Sequence, residues 1–184
     1  AVAQLEKAVE LDSRFSLAHY QLTSVYRQLG ELGKVTSAFE ATIENLHQLP
    51  ERYRFSIMTK YYQVEKQDPD KALEIVQKWN KIYPTDLGAL YRIANYHEVR
   101  QELPEAIATY QKILEIDPSR VQIFNSFARL YYQLGNFEEV ERSYQRYIDL
   151  FPTQSDGYKN LASFYSVIGR LENARGSFEE ALLL

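Results

Sequence analysis

Residues 121–154 read VQIFNSFARLYYQLGNFEEVERSYQRYIDLFPTQ. Phe124, Phe127, Leu130 and Tyr131 fall three and four apart, the spacing of one helical face, and predict a helix over Val121–Leu134. Gly135-Asn136 ends it, because glycine takes a left-handed cap without steric cost. Val140, Tyr144, Tyr147 and Ile148 repeat the pattern and predict a second helix over Phe137–Leu150. Pro152 then stops the chain from continuing as a helix.

The same pattern returns along the chain. Pro84, Pro118 and Pro152 stand 34 residues apart, as do Tyr110, Tyr144 and Phe178. Ala94, Ala128 and Ala162 keep the interval, and so do His97, Tyr131 and Tyr165. A fixed period of this length is the signature of a helical repeat array. From Phe39 to Val76 the interval is 37, so about three extra residues lie between them, near Leu49-Pro50-Glu51-Arg52. The expected organisation is the second helix of a partial repeat at 1–15, repeats at 16–49, 53–86, 87–120 and 121–154, an inserted turn at 50–52, and a shortened repeat at 155–184. The chain then begins and ends inside a repeat, which reads as a segment of a longer array. Gln67-Asp68-Pro69-Asp70 replaces the glycine turn of the 53–86 repeat and is expected to end one helix and cap the next.

A polar or glycine turn, an alanine, an aromatic residue and a proline at this period resemble tetratricopeptide repeats. The resemblance covers essentially the whole chain. It implies an all-α fold: an α-solenoid, a right-handed superhelix of helix-turn-helix repeats. Trp79, Ile113 and Tyr147 depart from it, since they stand where a small residue is usual. A narrower likeness lies in Leu49-Pro50-Glu51-Arg52, Tyr61-Tyr62, Lys71-Ala72-Leu73-Glu74 and Trp79-Asn80-Lys81-Ile82-Tyr83-Pro84. These are similar to arrays appended to bacterial Ser/Thr protein kinases and to membrane-bound transcriptional activators. They imply a regulatory segment of a larger signalling protein.

Composition narrows the chemistry. The chain has 184 residues, a formal net charge of −4 and no Cys. Hydrophobic residues are 45% and charged residues 25%, a globular balance that argues against disorder. Without Cys there is no disulfide, thiolate metal site or Cys nucleophile. His19, His47 and His97 make no His-Glu-x-x-His pattern, and the seven glycines form no phosphate loop. No catalytic residue, metal or cofactor is expected. A net negative chain lacks the basic footprint of a general nucleic-acid binder. No apolar run approaches the roughly 18 residues of a membrane span, so no direct membrane insertion is expected. Residues 1–10 do not read as a signal peptide. A cytoplasmic location is expected, with a periplasmic or extracytoplasmic one as the alternative. Fifteen Tyr and nine Phe could suggest stacking platforms, but most Tyr fall in apolar columns, where they read as core packing.

A binding surface is expected on the first helix of each repeat, which in this family lines the concave groove. The groove-facing positions are Tyr20, Ser24 and Arg27; Tyr91, Arg92 and Asn95; Asn125, Arg129 and Tyr132; and Lys159, Asn160 and Ser163. The divergent 53–86 repeat yields no such assignment. First helices tend basic and second helices acidic. A basic groove with Asn side chains suits a protein or peptide partner of acidic character, with Arg forking carboxylates and Asn bonding the peptide backbone. The expected function is a non-catalytic protein–protein interaction scaffold. The alternative is self-assembly, a homo-oligomer formed through the apolar faces of the outer repeats, as at Leu182-Leu183-Leu184.

Overall fold

The structure, a computed structural model, describes residues 2–184. The first position of the expected 1–15 segment, Ala1, lies outside the described residues. Among the described residues there are eleven α-helices and no strand. The chain divides into two compact units, residues 1–93 and 94–184. The first holds α1 (Val2–Leu11), α2 (Ser16–Gln28), α3 (Leu32–Glu44), a 3-10 turn (Leu46–Gln48), α4 (Glu51–Lys60), α5 (Pro69–Ile82) and the first half of α6 (Leu87–Val99). The second holds the rest of α6, α7 (Leu103–Ile116), α8 (Gln122–Gln133), α9 (Phe137–Leu150), α10 (Ser155–Val167) and α11 (Leu171–Leu182). Helix-turn-helix pairs pack side by side, α2 on α3, α4 on α5, α8 on α9 and α10 on α11.

Each turn between paired helices needs one left-handed residue. Gly30, Gly135 and Gly169 supply it with φ of +74°, +70° and +78°. Gln67 and Gln101 hold the corresponding place with φ of 51° and 61°, a conformation that costs a residue with a Cβ about 1–2 kcal/mol. Asp68 accepts a hydrogen bond from the Lys71 backbone N–H at 2.8 Å and caps α5, with Pro69 in its first turn. Asn136 caps α9 in the same way through the Glu139 N–H.

The extra residues of the 53–86 repeat are not all in a turn. Glu51 and Arg52, expected in an insertion at 50–52, form the first turn of α4. Pro50 takes the extended N-cap position, and an acidic residue follows it where the helix dipole favours one. The ten residues of α4 run into five residues of π-helix, Tyr61–Glu65, where α2, α6 and α10 have thirteen residues in all. The surplus is therefore wound partly into the helix as a wider turn, which rotates everything after Lys60 relative to the 34-residue frame.

Cores follow the apolar columns. In the first unit Leu22, Tyr26, Val35, Ala38 and Phe39 pack together, and Val76, Trp79 and Ala89 form a second cluster with Phe55 and Ile93. In the second, Ala128, Val140, Ile148, Leu161, Phe164, Tyr165 and Ala174 cluster. Trp79, Ile113 and Tyr147, where small residues are usual, are all buried. The two rings are accommodated by stacking. Phe55 lies 6.2 Å from Trp79 at 6° between planes, and Phe124 lies 6.0 Å from Tyr147 at 10°. Glycines on the next first helices make room beside each ring. A Cβ on Gly88 would sit 3.1 Å from the Trp79 ring, and one on Gly157 2.9 Å from Cγ1 of Ile148, the neighbour of Tyr147. The tyrosine excess has a matching account, since the buried rings of Tyr26, Tyr110 and Tyr165 point their hydroxyls at Glu6, Glu98 and Glu141.

Candidate functional site

In the first unit the first helices bring three cations together. Tyr20 and Arg27 stand on α2, Lys60 ends α4, and Arg92 lies on α6. Lys60 Nζ sits 5.3 Å from the centre of the Tyr20 ring, and Arg92 donates to Ser56 Oγ at 3.1 Å. Burial pushes Lys60 below the ordinary lysine range, and the charges of Arg27 and Arg92 push it further. Burial also lowers Arg92, with Tyr20 opposing. Tyr20 in turn is raised by burial, with Arg92 opposing.

Partners differ among these cations. Arg27 donates to Glu65, at the end of the π turn, and Thr36 reaches the other oxygen of that carboxylate at 3.5 Å. Among the described residues no carboxylate pairs with Lys60 or Arg92. Two half-buried positive charges thus lie near one tyrosine with no carboxylate partner among the described residues. That arrangement raises the energy of the empty site and favours an incoming anion.

The second unit places the other expected residues on its own first helices, and most are satisfied internally. Arg129 is held by Glu98, which also accepts from the Tyr110 hydroxyl at 2.6 Å. Lys159 Nζ lies 2.9 Å from Ser155 Oγ and 3.7 Å from Asp156. The Asn160 amide donates to Asn125 Oδ1 at 2.9 Å, and Ser163 Oγ to the Lys159 carbonyl at 2.8 Å. Arg129, Tyr132, Asn160 and Ser163 line one cleft of about 420 Å³, walled by Tyr144, Phe164 and Val167. With Arg129 paired, this cleft is apolar and amide-lined rather than basic. Asn95 and Ser24 are exposed, and Tyr91 is half-buried and engaged by neighbours.

Lys60 and Ser56 belong to the first face, but sequence reasoning assigned no groove position in their repeat. The 34-residue frame of the following repeats does not carry back to them, because the π turn at Tyr61–Glu65 lies between. A cation just ahead of Tyr61-Tyr62 is the only signal in the sequence. His97 Nδ1 lies 2.7 Å from Glu102 Oε2. No helix among the described residues is long and apolar enough to cross a membrane.

Comparison with known proteins bears on the fold. The tetratricopeptide repeat model matches residues 61–121 and again 125–183. A crystal structure of MamA is similar at 18% identity, covering 87% of this chain and 92% of that one, with a TM-score of 0.62. A crystal structure of PilW, described as a widely conserved type IV pilus biogenesis factor, is similar at 16% identity. It covers 95% of this chain and 80% of that one, with a TM-score of 0.72. No curated protein matches by sequence.

Proposed function

This chain belongs to the tetratricopeptide repeat family, an all-α helical-repeat fold of the α-solenoid class, and on that premise we propose that it is a non-catalytic scaffold that grips an acidic, extended segment of another protein. The observation that carries this reading is the pair of half-buried cations Lys60 and Arg92, unpaired beside Tyr20. A carboxylate from a partner would supply the missing counter-ion. Arg92 offers a planar fork for it, and Lys60 a point charge. The Arg27–Glu65 pair at the edge fixes the end of the face without consuming either free charge.

The test is fluorescence anisotropy with a dye-labelled hexaglutamate peptide at low salt. Lys60→Gln with Arg92→Gln is expected to weaken binding by about tenfold or more, as loss of central charged contacts does. Added salt should weaken the wild type more than the double variant. Arg129→Glu with Lys159→Glu is the contrast, since both cations already have carboxylate partners, and should change affinity little. Equal affinity of wild type and the Lys60/Arg92 variant refutes the reading.

A second reading rests on α11, which exposes Leu171, Phe178 and Leu182. An apolar helix face of this kind suits pairing between copies of the chain. Sedimentation velocity over a range of concentrations decides it, and a strict monomer removes it.

A further inference from the structure

The face between α2, α4 and α6 offers donors to solvent and pairs its cations with no acid. Ser56 and Lys60 stand one turn apart on α4, so their side chains leave the same side of the helix with Cβ atoms about 5–6 Å apart. Arg92 reaches Ser56 Oγ from α6, and Lys60 Nζ lies over the Tyr20 ring of α2. That ring is held edge-on against the buried Phe39. Ser56 accepts from Arg92, which leaves its own O–H to donate. The buried side-chain atoms without a hydrogen-bond partner among the described residues are Glu31 Oε2, Arg54 Nε, Trp79 Nε1 and Asn80 Oδ1. Lys60 Nζ, Arg92 Nε and Nη1 and the Tyr20 hydroxyl have no such partner either, yet are not among them, so each is open to solvent. Burial lowers both cations, and no carboxylate acts on either to offset it. Arg27, already paired with Glu65, is not one of the two.

We propose that this face takes a phosphate monoester, carried on a phosphorylated serine or threonine of an extended partner segment. The proposal rests on the reading above, that the face grips another protein, and names the group that is gripped. Charge and shape both set the class. Two cations without a carboxylate leave two charges to be met. One carboxylate meets one of them, and two carboxylates would crowd against each other beside a single turn of α4. A phosphate monoester brings about −1.5 to −2 at neutral pH on a single group. Its three free oxygens suit the fork of Arg92, the point charge of Lys60 and the hydroxyl of Ser56. A nucleic-acid phosphodiester brings one charge per group, and the chain's net charge of −4 opposes the strand that carries it. Docking then follows phosphorylation of the partner, a control that a permanently acidic segment does not give.

The test is an oriented peptide library presented to the whole chain. Every peptide has one fixed central residue, phosphoserine, between degenerate uncharged positions. Retained peptides are resynthesised with phosphoserine, glutamate or serine at the centre and titrated by fluorescence anisotropy. The phosphoserine form should bind about tenfold or more tighter than the glutamate form, and the serine form weakest. Lys60→Gln and Arg92→Gln, each made singly, remove one of the two charges and should bring the phosphoserine form to within about threefold of the glutamate form. The comparison of the three peptides on the wild type needs no variant. Inorganic phosphate should displace the peptide only at far higher concentration, because the flanking backbone adds contacts. The proposal is overturned if the library retains nothing, if phosphoserine and glutamate forms bind alike, or if neither single substitution reduces the preference. It is overturned too if inorganic phosphate or phosphatidic acid vesicles displace the peptide at equal phosphate concentration. Should any of these occur while Lys60→Gln with Arg92→Gln still weakens hexaglutamate, the phosphate alone is struck and the acidic-segment reading stands. Equal hexaglutamate affinity with no phosphoserine peptide retained removes both.

Discussion

Alanine at Gly157 and alanine at Gly176 should move stability in opposite directions. Both residues lie within helices, Gly157 in the first turn of α10 and Gly176 in the middle of α11. Helix propensity alone gives alanine about 1 kcal/mol over glycine in a helix interior, and less in the first turn. Their surroundings differ. Around Gly176 nothing lies within 4 Å of a built Cβ, so the full gain of about 1 kcal/mol should appear. At Gly157 the Cβ would stand 2.9 Å from Ile148 Cγ1. Ile148 is 6% exposed and belongs to the core, so it has no room to swing aside. Overpacking of this kind costs about 1–3 kcal/mol, leaving a net loss of about 0.5–2 kcal/mol. At this chain length each kcal/mol moves the melting midpoint by about 2–4 °C. Far-UV circular dichroism in thermal and urea titrations reads both variants. The sense of the midpoint shift is the quantity compared, because a repeat array need not unfold in one step. Adding Ile148→Ala to Gly157→Ala should cost less than the sum of the two single changes, since the clashing atom is gone. A Gly157→Ala protein as stable as Gly176→Ala would show that α9 and α10 do not approach as described.

Three further outcomes are expected. Phe127→Ala should lose about 3–5 kcal/mol in urea unfolding, because the ring is buried against Tyr110 and Tyr131; a loss below about 1 kcal/mol would contradict its place in the core. Gln101→Gly should raise the melting midpoint slightly, by about 0.5 kcal/mol of stability, because relief of the left-handed strain exceeds the added chain entropy; a lower midpoint contradicts it. Tyr110 and Tyr165 are both held up to about 12, first by burial and then by their bonds to Glu98 and Glu141. Their folded values lie above the unfolded one, so their stabilising contribution is whole below about pH 10 and is lost as pH rises towards about 12. Urea midpoints measured across that window should fall, and Glu98→Gln should make the fall shallower; a flat profile refutes the assignment.

Fold class was legible because the 34-residue period sums many weak signals. Each alanine or proline column is ambiguous alone, yet Ala94, Ala128 and Ala162 all lie in the interior. Helix ends were legible where chemistry forces them, as at Gly135, Pro152 and Asp68-Pro69. The length of α4 was not, because a π turn depends on how a surplus residue is absorbed. Neither Tyr61-Tyr62 nor Val64 announces it. The candidate faces were half legible. The sequence placed Arg27, Arg92, Arg129 and Lys159 on first helices, since helical phase follows from the period. It did not show which of them already have carboxylate partners. Glu65 reaches Arg27 and Glu98 reaches Arg129 from neighbouring repeats, across 38 and 31 residues of chain. Such pairings depend on how helices stack, and no local pattern encodes them.

The fit of Trp79 against Gly88, and of Ile148 against Gly157, bears on how such arrays can be rearranged. In each case the bulk sits at the end of one repeat and the relief at the start of the next. A recombination that cuts at the loop after α9 would separate Ile148 from its glycine and set it against whatever residue the incoming segment carries. A cut inside the preceding turn, at Gly135-Asn136, moves the isoleucine and the glycine together. The segment that can be duplicated, deleted or grafted without loss of fit therefore runs from one second helix through the following first helix, and is offset by half a period from the repeat that the sequence displays.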